Sequence, residues 1–152
     1  MRIARMQSGL LLVMAVGLTP IALTYGAAPG VSLPFLFGID ASGVETRHIF
    51  RAMMGFYFAL IVFWGLGALR PSLRQPALWS LFVFTVGLSF GRALSLAFDG
   101  WPGPLLFAYW LAEIAIAAAS GWLLQRAPDP ARPADVAPEA PATTKPHQEI
   151  RP

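Results

Sequence analysis

The chain of 152 residues is long enough for one domain and a tail. Its residues are 56% hydrophobic and 12% charged, a balance that excludes an ordinary soluble domain and points to the membrane. With no cysteine there is no thiol oxidoreductase, iron–sulfur centre or cysteine-based zinc site; two histidines do not make a His-rich metal centre or a bis-His haem; and the arginines behind the net charge of +3 are too dispersed for nucleic acid.

No cofactor and no metal is therefore implied. Arginine far outnumbers lysine beside abundant Ala, Gly and Pro, the usage of a GC-rich bacterial genome, which places the expected site of action in a bacterial inner membrane. Four apolar runs predict an all-α, four-helix membrane bundle over residues 1–126, with spans at about 8–28, 43–69, 77–98 and 103–125.

The first run follows a basic start and ends near small residues, as a signal peptide would, but it is about 20 residues long against the roughly 7–15 of a signal core. It is expected to stay as a membrane helix, kinked at Pro20. The segment "PGVSLPFLFGID" is expected to be a loop that lies along the membrane surface or tucks between helices. "SGVE", Ser42 to Glu45, reads as a capping box that starts the second span near Gly43. "RPSLRQP", residues 70–76, reads as a polar connector, with Pro76 in the first turn of the third span. "DGWPGP", residues 99–104, is a tight turn that makes the last two spans antiparallel neighbours. Trp79, Trp101 and Trp122 fall near the expected interfaces. Residues 127–152 are Pro- and Ala-rich and are expected to be a disordered cytoplasmic tail.

Arg2, Arg5, Arg70, Arg74, Arg126, Arg132, Lys145 and Arg151 lie on one side of this topology, and Arg47 and Arg51 on the other. The positive-inside rule puts both termini in the cytoplasm.

Arg92 stands inside the third apolar run. On a helical wheel Thr85, Ser89, Arg92, Ser95 and Asp99 share one face. A polar stripe within a membrane must face protein or water. Gly87, Gly91 and Ser95 run beside it as a small-residue series that admits a close neighbour. The fourth span carries the complement, Glu113, with Tyr109 one turn before it. Arg92 lies roughly 9 Å and Glu113 roughly 15 Å from the turn at about 1.5 Å per residue. Their side chains lean toward each other, because each leans toward its own helix N-terminus. A lone charge near a helix centre costs roughly 2.5–3.5 kcal/mol, which favours pairing. Arg51 and His48, at the start of the second span, reach the same level. The expected site is thus an outer-half constellation of Arg51, Arg92 and Glu113, with His48, Ser95, Tyr109 and Asp99 around them.

"YGAAPGVSLPFLFGID", "RHIFRAMMGFYFAL" and "GLSFGRALSLAFDGWPGP", followed by a Glu in the last span, resemble the small bacterial membrane proteins of domain of unknown function 4345. The resemblance covers about residues 8–125 through Tyr25-Gly26, Pro29, Arg51, Gly55, Gly91-Arg92, Ser95, Asp99-Gly100, Pro102 and Glu113. It implies a four-helix integral membrane protein and supplies no activity.

The residues themselves favour a non-enzymatic protein of the lipid bilayer, with no catalytic residue, whose charged pocket binds an amphiphile, expected to be anionic, or a membrane-protein partner. A small oligomeric transporter using Glu113 and a purely structural accessory subunit are the alternatives. The sequence leaves the oligomeric state open.

Overall fold

Five α-helices, and no strand among the described residues, build the domain in the order α1 (Arg2–Gly26), α2 (Pro29–Phe37), α3 (Val44–Leu69), α4 (Pro71–Phe98) and α5 (Pro104–Gln125). The computed structural model describes residues 2–126, so the expected tail lies outside the described residues. All but α2 are long and apolar enough to cross a membrane. The four-helix bundle read from the sequence is therefore present, with a short fifth helix added to it.

That fifth element corrects the expected first loop. Pro29 occupies the first helical turn of α2, where a missing N–H costs nothing. Gly38 ends the helix at φ 67°, a conformation that glycine adopts without a Cβ penalty. The Ser32 hydroxyl donates to the carbonyls of Thr24 and Ala28, which ties α2 to the end of α1. Leu33 is fully buried while Phe35 is 85% exposed, so α2 lies with one face on the bundle. A stretch with two prolines and two glycines reads as a chain breaker, yet one proline sits at a permitted position and one glycine at the terminus.

The capping box at Ser42 does not form. Asp40 takes Ser42 instead, accepting from its backbone N–H at 2.9 Å and from its hydroxyl at 3.0 Å. A carboxylate two residues upstream closes its own turn and outcompetes the helix start for that hydroxyl. These two donors hold the Asp40 carboxyl below its ordinary value. Gly43 caps α3 without a side-chain bond. Arg47 reaches back instead, with Nε donating to the Ala41 carbonyl at 2.7 Å and Nη2 to that of Ser42 at 2.9 Å.

The polar connector between the second and third spans is also shorter than expected. It shrinks to Arg70, whose N–H still bonds to the Leu66 carbonyl at 2.7 Å. Pro71 takes the first turn of α4, so Pro76 lies inside the helix and not at its start. The first helix also extends beyond the apolar run at its N-terminus: α1 begins at Arg2, continues through Pro20 without a break and ends at Gly26.

Packing follows from which faces are apolar and small. α1 pairs most extensively with α3, and α4 pairs with α5; α3 joins the two pairs through α4. α1 presents Leu11, Ala15, Leu18 and Ala22, at spacings of four and three, to the interior. Tyr57 and Trp64, two turns apart, do the same from α3. The buried residues of α4 end at Thr85, and those of α5 are Ser120 and Leu123. On α4 and α5 the buried residues therefore keep to the half of the bundle where α1 begins and α5 ends. Polar ties reinforce it: Gln7 Nε2 donates to the Leu123 carbonyl at 3.2 Å, and Trp64 Nε1 to the Ser80 hydroxyl at 2.9 Å. Toward the opposite end, which carries α2 and the Gly100–Gly103 turn, α4 and α5 contribute no buried residue.

Candidate functional site

A cavity of about 100 Å³ lies between the α1–α3 and α4–α5 pairs. Antiparallel helices order its lining by depth. Tyr25, Arg92, Tyr109 and Glu113 lie toward the turn end, with Met14, Leu18, Phe84 and Ile116 beyond them toward the core. The cavity is thus polar at one end and apolar at the other.

Arg92 and Glu113 meet there. Arg92 Nε donates to both carboxylate oxygens of Glu113, at 3.0 and 2.9 Å. The side chains are 25% and 12% exposed. The opposed leans of α4 and α5 close the depth gap between the two residues, as helix geometry requires. The pair uses one edge of the guanidinium only. Nη1 and Nη2 make no hydrogen bond to another described residue, and the Tyr25 hydroxyl stands beside the group.

Arg92 also lines a second hollow of about 90 Å³ on the turn side, together with Ser95, Pro102 and Trp110. Trp110 is held in place by donating Nε1 to the Ser89 carbonyl at 3.0 Å. The Ser89 hydroxyl is buried without a partner. Arg92 therefore forms the wall between two spaces.

The other expected members divide. Tyr109 shares the cavity with the pair, and Ser95 shares the second hollow with Arg92. Asp99 ends α4, its N–H bonded to the Ser95 carbonyl at 2.8 Å, and its carboxylate is exposed. Among the described residues Arg92–Glu113 is the one ion pair, so Asp99 does not join it. His48 and Arg51 are exposed on α3 and line neither space. The cause is rotation. Tyr57 marks the inward face of α3, and at about 100° per residue Arg51 points roughly 120° and His48 roughly 180° away from it.

Sequence reasoning missed Tyr57 as a site residue and met Tyr25 only among the family-like positions. Their rings pack 5.6 Å apart, and Tyr25 also contacts Phe37 and Phe50 edge-on. The available signal was the seven-residue spacing of Tyr57 and Trp64, which places two large amphipathic rings on one helix face. The small-residue series is also placed differently from expectation. A Cβ at Gly87 or Gly91 would meet nothing within 4 Å, so no helix among the described residues packs there.

A family model described as a domain of unknown function (DUF4345) matches residues 6–124. The chain belongs to this family. The match runs from α1 into the last turn of α5, so the whole cavity of this DUF4345 protein lies within the family domain. Neither the curated proteins nor the solved structures yield a match.

Proposed function

We propose that this DUF4345 protein binds an amphiphile in the cavity between its two helix pairs, with the polar head at Arg92 and the apolar part toward the core. The observation that carries the reading is the one-edged ion pair. Glu113 engages only Nε, so the terminal N–H donors of Arg92, with the Tyr25 hydroxyl beside them, are not used up by the pair. Unused donors deep in a membrane domain are costly unless they meet an acceptor. The apolar inner lining supports the same reading, because it suits a chain or ring and not an ion alone.

The cavity belongs on the outer side of a bacterial inner membrane with both termini cytoplasmic; the distribution of arginines supports this placement. One observation favours a purely structural role instead, namely that the pair joins α4 to α5 and so fixes their rotation.

Native mass spectrometry of protein purified from its own membranes separates the two. An Ala112→Phe variant puts bulk on the cavity wall while leaving both charged residues in the sequence. Binding predicts a bound small molecule on the wild type that is lost in this variant while thermal stability is kept. Wild-type protein without such an adduct, or an equal adduct on both, would exclude it.

A further inference from the structure

We infer that the amphiphile taken by this cavity is uncharged and presents a carbonyl acceptor, as an ester, amide or ketone does, in preference to a carboxylate, a phosphate or an amine. The inference rests on the amphiphile reading above and deepens it.

The first ground is charge. Arg92 is already balanced by Glu113 at 2.9 Å, and no other ionisable group except tyrosine lines the cavity. Arg51 and His48, the nearest cations expected from the sequence, face away from it. An anionic head would leave the site with an uncompensated negative charge beside the Glu113 carboxylate, in a medium where such a charge is expensive. A cationic head would stand against Arg92 in the same way.

The second ground is hydrogen bonding. Arg92 Nη1 and Nη2 are donors only, and Tyr25, Tyr57 and Tyr109 bring hydroxyls that can also donate. A carbonyl oxygen has two lone pairs to receive them and adds no charge.

The test uses three probes of equal chain length with a diazirine at the same carbon: a fatty amide, a fatty acid and a fatty amine. The full-length protein is placed in nanodiscs of dialkyl-ether phosphatidylcholine, which carries no carbonyl to compete. At about pH 9 the acid and most of the amine are charged, given ordinary values of roughly 4 and 10. Photolabelling of the peptides that bear Leu18, Phe84 and Ile116 is read by mass spectrometry against probe concentration. The amide is expected to reach half-saturation at a concentration about tenfold or more below that of either charged probe. In Glu113→Gln, which keeps the shape and removes the negative charge, the preference should pass to the acid. If the acid equals or beats the amide on the wild type, the charge argument is overturned and the amphiphile reading stands. If no probe labels the cavity saturably, the amphiphile reading falls and this inference falls with it. The wild-type comparison decides the matter even where Glu113→Gln fails to fold.

Discussion

The Arg92–Glu113 contact makes an asymmetric prediction. Arg92→Leu leaves a mostly buried carboxylate with no partner, which must stay charged at a cost or take up a proton. Glu113→Leu leaves a long cation whose free amino groups can turn toward the second hollow and the turn end. The arginine deletion should therefore destabilise more than the glutamate deletion. The double Leu variant should lie near the wild type, because apolar groups of similar size can replace a buried pair at little net cost. Unfolding in mild detergent should report a coupling of about 0.5–3 kcal/mol across the cycle. Strict additivity would mean that the two side chains do not meet. A stable double variant that no longer carries the bound molecule would separate the ligand role of the charges from their role as a pin.

Among the helices, the crossing of α3 and α4 has the least room. At Gly67 an added Cβ would collide with the Ala77 side chain and come within 3.2 Å of the Leu73 carbonyl and 3.4 Å of Leu11. Backbone is on one side and a fully buried leucine on another, so neither gives way easily. Gly65, two residues earlier on the same helix, has nothing within 4 Å of such a Cβ. Gly67→Ala should lower stability by about 1–3 kcal/mol, the range for overpacking. Gly65→Ala should be neutral or raise stability by up to about 1 kcal/mol, because alanine loses less entropy on entering a helix. Thermal unfolding of the two variants side by side checks the pair of signs. A neutral Gly67→Ala would mean that α3 and α4 cross farther apart than the structure has them.

At the level of the whole molecule, the polar lining of the cavity lies toward the end that carries the Gly100–Gly103 turn, and its biological side depends on insertion. In a chain without cysteine, a single Cys at Ser42 is expected to react with an impermeant thiol reagent on intact spheroplasts, and a Cys at Ser72 is not. Both positions are exposed, so access by the reagent reports sidedness and not burial. The reverse pattern would turn the cavity toward the cytoplasm.

Hydropathy alone determined that four helices are long and apolar enough to cross and roughly where they lie, because a bilayer tolerates only long apolar segments with satisfied backbones. It also determined the Arg92–Glu113 contact, since a tight turn, antiparallel neighbours and two isolated charges at similar depth leave each little other choice. Short-range competition was harder to read. Asp40 and the Gly43 cap override a plausible Ser42–Glu45 motif, and Pro71 displaces Pro76 from the helix start. What only the tertiary structure decided is rotation and partner choice. Arg51 and His48 share their helix with Tyr57, and hydropathy does not say which face of so apolar a helix turns inward. The interior of a membrane protein is no more apolar than the lipid around it, so burial leaves little pattern in the sequence. The same limit explains the tryptophans. Trp79, Trp101 and Trp122 are exposed, while Trp64 and Trp110 are drawn inside because a hydroxyl on α4 and a carbonyl on α4 accept their N–H groups. Those acceptors become available only when the helices have packed.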